Sequence, residues 1–167
     1  MSCLTCLLLL CGATITLASK WCSRDDADSV HAAWGQAFGS RVHRTLVAQR
    51  LSSFFVRLVQ AHPDAKPLFS EVNIDDVAGP DFEAHALRVV TGIDLCINSL
   101  HDTRLLDEIT AHLATQHRRR LNIKAEFFMI LRRLLRAGVA AMVDNPNIDA
   151  WDNCFTPIIN AIAAPLP

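Results

Sequence analysis

Residues 80–97 read Pro-Asp-Phe-Glu-Ala-His-Ala-Leu-Arg-Val-Val-Thr-Gly-Ile-Asp-Leu-Cys-Ile, and their spacing decides the fold class. Phe82, Ala86, Val89, Ile93 and Cys96-Ile97 recur at steps of three and four, which gathers them on one face of a helix. Pro80 suits the first turn, where its missing N–H is no loss. The same period runs outward in both directions. Before it, Val30, Ala33, Trp34, Ala37 and Phe38 share a face up to Gly39, with Asp25 to Asp28 at the helix start, and a second helix carries Val42, Leu46, Leu51, Phe54, Phe55, Leu58 and Val59 up to Pro63. After it, a helix from Asp102 or Thr103 runs to His117. Another carries Phe127, Phe128, Leu131, Leu134, Leu135 and Val139, and a last one from Asp149 carries Trp151, Cys154, Phe155, Ile158, Ile159 and Ile162. Runs of alternating β-branched residues are missing, so the fold is expected to be all-α.

Composition bounds the function. The 167 residues hold 16 Lys+Arg against 17 Asp+Glu, a net charge of −1, and 51% are apolar. Such a chain is one folded domain; it lacks the basic footprint of a nucleic-acid binder and the polarity of a disordered chain. Leu4 to Ala18 form an apolar run with no charge before Lys20 and small residues at Thr16, Ala18 and Ser19. The run is shorter than the roughly 20 residues that span a bilayer, so residues 1–18 read as a secretory signal peptide and 19–167 as the mature domain, with no membrane span. Cleavage removes Cys3, Cys6 and Cys11. Cys22, Cys96 and Cys154 remain, an odd set for an oxidising compartment.

Seven histidines raise the question of a metal, and most of their arrangements fail it. There is no His-Glu-x-x-His, no Cys-x-x-Cys, no Gly-rich phosphate loop and no Gly-x-Ser-x-Gly turn, and His112 and His117 stand five apart on different helix faces. His31, His43, His62 and His101 sit among polar neighbours or at helix ends, which suits solvated or capping roles. Two differ. His85 shares a face with Val89 one turn on, and His117 closes a helix one turn after Leu113. The stretch from Pro63 to Pro80 reads as an irregular functional loop with one large apolar anchor, Phe69.

Taken together, Trp34, Pro63 with Phe69, the run Phe82 to Val89 and His112-Leu113-Ala114-Thr115-Gln116-His117 resemble the signature positions of the globin family. The wording is most similar to the secreted giant haemoglobins of annelid and tubeworm blood. The resemblance implies about eight helices packed around haem b, iron protoporphyrin IX. Phe69 would pack on the haem, His85 would be the distal histidine, Val89 the distal valine and His117 the proximal iron ligand, with His112 the competing candidate. Phe55 would face bound gas, and Phe128 would help to keep water out. Arg88 or Arg120 would meet a propionate or else be solvated. A distal N–H donating to a polarised ligand is worth roughly 1.5–3 kcal/mol, and about 1.4 kcal/mol is tenfold in affinity.

The function so implied is reversible dioxygen carriage in blood or coelomic fluid, by one of several globin chains in a large hetero-oligomer, rather than catalysis. A haem peroxidase-like enzyme on the same fold and a haem-free secreted helical protein are the alternatives. The resemblance also implies a disulfide between Cys22 and Cys154. Cys96 is then left free, either as a small buried hydrophobe or as a site for sulfide.

Overall fold

A computed structural model describes residues 20–167; the segment read as a signal peptide lies outside the described residues. Six α-helices and one 3-10 helix make up the regular structure there, with no strand among the described residues.

Helix α1 (Arg24–Phe38) begins at Ser23, whose hydroxyl accepts from the Asp26 N–H, and Asp25 and Asp26 favour the positive end of the helix dipole. Its buried face is the one the spacing selects: Val30, Ala33, Trp34, Ala37 and Phe38, joined by Ala27. At the corner to α2 the Gly39 N–H donates to the Gly35 carbonyl, and a Cβ on Gly39 would collide with that same oxygen. Ser40 then caps α2 (Arg41–Ala61). Here one expectation is corrected. Val42 and Leu46 are not on the buried face but 67% and 45% exposed. Two stripes at helical spacing run side by side along α2, and only the one through Val47, Leu51, Phe54, Phe55 and Leu58 turns inward.

The stretch read as an irregular loop is ordered as a 3-10 helix over Pro63–Val72, which the fixed φ of Pro63 and Pro67 suits. It ends at Asn73 in the left-handed region, φ 54°, and turns closed by Asp76 N–H to the Asn73 carbonyl and Gly79 N–H to the Asp76 carbonyl fill residues 73–79. The described residues build the expected all-α fold from seven helical elements.

Helix α3 (Pro80–Asn98) is followed by α4 (Thr103–Arg118), capped by Asp102, then α5 (Ala125–Met142) and α6 (Ile148–Ala163), capped by Asn147. α6 lies against α1, α4 and α5, while α2 packs on α3. Aromatic rings tie the middle: Trp34 stacks on Phe38 at 5.0 Å and lies tilted 6.2 Å from Trp151, which stacks on Phe155 at 5.0 Å. The Trp34 indole N–H donates to Asp94 on α3 at 2.8 Å, so the ring is fixed at its polar end too. Cys22 and Cys154 form a disulfide, holding the entry to α1 against α6, and Cys96 is free and buried. No helix of the described residues is long and apolar enough to cross a membrane.

Candidate functional site: an apolar cleft between two histidines

Five elements meet at a cleft. α3 contributes His85 and Val89 one turn apart, α4 its last-turn His117, the 3-10 helix Phe69, α2 Phe55 and α5 Phe128. Two adjoining cavities of about 100 and 220 Å³ make up the cleft, and both are walled by His85, Val89, His117, Arg120, Phe128 and Leu131. Phe55 and Phe69 line the first, and Cys96 and Arg88 line the second. The six residues singled out for a haem pocket are therefore brought to one place. Their walls are mostly apolar, as ligand clefts are.

The two imidazoles are held differently. His117 Nδ1 lies 2.7 Å from the Leu113 carbonyl one turn back. A carbonyl only accepts, so Nδ1 carries the proton and Nε2 keeps its lone pair, the state in which an imidazole binds a metal. Phe128 meets this ring edge-on at 4.9 Å. Burial lowers the His117 pKa, the Leu113 carbonyl opposes that shift and Arg120 adds to it.

His85 is caged by three phenyl rings, with centroids 5.4 Å away at Phe55, 5.6 Å at Phe82 and 5.8 Å at Phe69. Its Nε2 is buried without a hydrogen-bond partner in the described structure. An orphaned buried polar atom is destabilising by roughly 1–3 kcal/mol and points to a missing partner. Burial, with smaller contributions from Arg88 and Arg120, takes the His85 pKa down to about 4. The ring is thus neutral in ordinary solution.

The other histidines lie elsewhere. His112 is exposed and pairs with Gln116 at 2.8 Å, off the cleft. His31 contacts Asn98, His101 pairs with Asp28, and His62 ends α2 against the Phe127 ring. No group of three or more His, Cys, Asp or Glu side chains could hold an ion among the described residues. Arg88 and Arg120 are exposed where they border the cleft, suited to anionic edges of a ligand. Phe82 is the site residue that sequence reading missed. It reads as core because it is core, fully buried, and only its place one turn before His85 hints at a second role.

The globin sequence profile matches residues 52–162, a span that contains every residue lining this cleft. The chain belongs to the globin family. It is 32% identical over 146 residues to "Extracellular globin-4" of Lumbricus terrestris, covering 87% of this chain and 96% of that one. It is 34% identical over 130 residues to "Globin, extracellular monomeric" of Tubifex tubifex, covering 77% of this chain and 89% of that one. Among solved structures, the haemoglobin of the botfly Gasterophilus intestinalis superposes with a TM-score of 0.66 at 14% identity, covering 86% of this globin and 97% of its own chain; that likeness shows the globin fold.

Proposed function

We propose that this globin is a secreted dioxygen carrier that holds haem b between His85 and His117. The observation that carries the reading is the unequal state of two neutral histidines in one apolar cleft: His117 has its Nδ1 proton committed to Leu113, and His85 Nε2 has no partner. When bound, haem supplies an iron atom at which dioxygen binds and leaves reversibly. His117 Nε2 would hold that iron, and the Leu113 carbonyl fixes the tautomer and the ring direction it needs. His85, with its proton on Nε2, would donate to dioxygen, a bond worth roughly 1.5–3 kcal/mol. Phe55, Phe69, Val89 and Phe128 would exclude water, and Arg88 and Arg120 would meet the propionates.

Residues 1–18 are proposed to be removed as a signal peptide. Relatives that bear the name extracellular globin, together with a disulfide inside the fold, support that reading. Work as one chain of a large extracellular hetero-oligomer rests on the resemblance to annelid giant haemoglobins. Sedimentation of native material tests it, since the Tubifex relative is named as monomeric.

Uptake of sulfide at Cys96 is the second part of the proposal. It is supported by a free thiol on the wall of the larger cavity. Burial pushes that thiol up to about 11, so the capture proposed is of neutral hydrogen sulfide lodged beside it rather than attack by a thiolate. A Cys96→Ala chain that takes up as much sulfide as the unaltered one overturns this part alone.

Absorption spectroscopy of the purified protein tests the main reading. A strong haem band that shifts reversibly with oxygen pressure is expected, and His117→Ala should lose the haem. Absence of the band overturns both the carrier and a peroxidase, leaving a haem-free helical protein; irreversible turnover of organic substrates with peroxide would favour the enzyme.

A further inference from the structure

The near-neutral charge of this globin conceals a separation. Helix α2 carries Arg41, Arg44, Arg50 and Arg57 with no carboxylate, and α5 carries Arg132, Arg133 and Arg136 with Glu126 as its one acid. Four of these have work inside the fold or lie away from the groove between the helices: Arg44 reaches the Phe38 carbonyl, Arg132 the Thr156 hydroxyl and Arg136 the Asp152 carboxylate, while Arg41 opens α2. Arg50, Arg57 and Arg133 have no acceptor among the described residues, and all three are exposed. They rim two adjoining grooves between α2 and α5, of about 370 and 400 Å³, that share Arg57 and Leu134.

The groove is not only cationic. Leu51 and Val139 line one part, Phe54 and Leu58 the other, and Ala137 and Gly138 leave the α5 side low enough for close approach. Val42 and Leu46, exposed, extend the Arg50, Ser53 and Arg57 stripe along the same side of α2. Exposed apolar side chains beside unpaired arginines are the composition of a docking surface rather than of a solvated face.

The complementary chemistry is on the same chain. Residues 71–83 hold Glu71, Asp75, Asp76, Asp81 and Glu83, all exposed, with no Lys or Arg among them. Asp75 is engaged, with Lys66 at 2.8 Å; the other four make no ion pair among the described residues. We propose that the α2/α5 groove docks the acidic 71–83 segment of a second copy of this chain. Because the two patches differ, the contact is head-to-tail, and each added copy leaves one groove and one acidic segment open, so the contact closes a ring or extends an array. Guanidinium forks facing carboxylates fix the register, while the apolar groove excludes water from the pairs.

The inference rests on the reading of this globin as an assembling chain, and one experiment separates the two. Sedimentation velocity of the haem-loaded chain compares the unaltered protein, a groove variant (Arg50→Glu, Arg57→Glu, Arg133→Glu) and a segment variant (Glu71→Lys, Glu83→Lys). The unaltered chain should self-associate at low salt and come apart at high salt. Each variant alone should associate roughly tenfold or more weakly, because its groove and segment then repel. A mixture of the two should recover association, since the reversed groove meets reversed segments and the native groove meets native ones; recovery also shows that both variants fold. Association of either variant as strong as that of the unaltered chain overturns the docking site but leaves assembly standing. A mixture that fails to associate, or an unaltered chain that stays monomeric at low salt, overturns the docking site as well, and the second result also withdraws support from assembly through copies of this chain.

Discussion

Phe128 meets the His117 imidazole edge-on, with 4.9 Å between ring centroids and 83° between planes, while the Leu113 carbonyl holds Nδ1 of the same ring at 2.7 Å. One contact comes from α5 and the other from the histidine's own helix, so the ring is fixed about two axes. An edge-to-face aromatic pair contributes about 0.5–1.5 kcal/mol beyond its buried area. Phe128→Leu keeps most of the apolar volume and removes the pair. Haem transfer to an acceptor apoprotein should then speed up roughly 2- to 13-fold, with the thermal midpoint of the haem-free chain lowered by about 1–6 °C. An unchanged transfer rate would show that Leu113 alone sets the ring.

The disulfide closes 132 residues of sequence between the entry to α1 and the interior of α6. In the chain-entropy account such a loop stabilises by roughly 5 kcal/mol, chiefly by restricting the unfolded ensemble. At about 2–4 °C per kcal/mol for a domain of this size, Cys22→Ser with Cys154→Ser should lower the melting midpoint by roughly 10–20 °C. Scanning calorimetry of the two chains measures it. A midpoint within a few degrees of the unaltered protein's would mean that the unfolded chain is already compact.

The residues that make the cleft were legible because each sits at helical spacing from an apolar neighbour: His85 with Val89, His117 with Leu113. Their meeting was not. Nothing in the spacing of α3 and α4 places the two histidines in one cleft; that came from resemblance, and the packing of α5 and the 3-10 helix supplies the walls. Val42 and Leu46 were misread for a physical reason. They are apolar but stand at helical spacing ahead of Arg50, Ser53 and Arg57, so they share the solvent side of α2 rather than the side through Val47, Leu51, Phe54, Phe55 and Leu58. The 3-10 helix escaped because Pro63 and Pro67 suit an open loop and a tight helix equally well. Phe82 was hidden in plain view, since a core phenylalanine and a cage wall have the same periodicity.

Acid should weaken the haem-free chain. Folding takes His85 from an ordinary 6.5 down to about 4, and His117 is lowered as well. Between 6.5 and about 4 the unfolded chain therefore binds protons that the folded one refuses. The stability these neutral rings contribute is complete above 6.5 and is lost as pH falls toward 4. Urea midpoints across this window should drop steadily, and His85→Phe should make the slope shallower. A slope that His85→Phe leaves unaltered would place the acid sensitivity elsewhere.

Cys96 should be inert in the folded protein. It is 1% exposed, and burial carries its thiol from 9.0 to about 11, which cuts the thiolate fraction about a hundredfold. A chromogenic disulfide reagent should react at least ~100-fold more slowly with the native chain than with the chain in denaturant. With Cys22 and Cys154 joined, unfolding should release one reactive thiol from residues 20–167. Rapid labelling of the native chain would show that the larger cavity opens to molecules well above the size of hydrogen sulfide.

Phe82 should act through His85. Its ring lies 5.6 Å from the imidazole and 6.0 and 6.1 Å from Phe55 and Phe69, so it backs the cage while being fully buried itself. Phe82→Leu leaves an apolar residue but withdraws the flat wall against which the imidazole rests. The histidine then spends less time aimed at the ligand, and part of a hydrogen bond worth roughly 1.5–3 kcal/mol is lost. In the proposed haem site dioxygen would draw on that bond and the less polar carbon monoxide hardly would. The ratio of dioxygen to carbon monoxide affinity should therefore fall several-fold in Phe82→Leu, as it should more steeply in His85→Leu. Equal losses for both gases would reduce Phe82 to a packing residue, because a general loosening of the cleft has no reason to tell the two ligands apart.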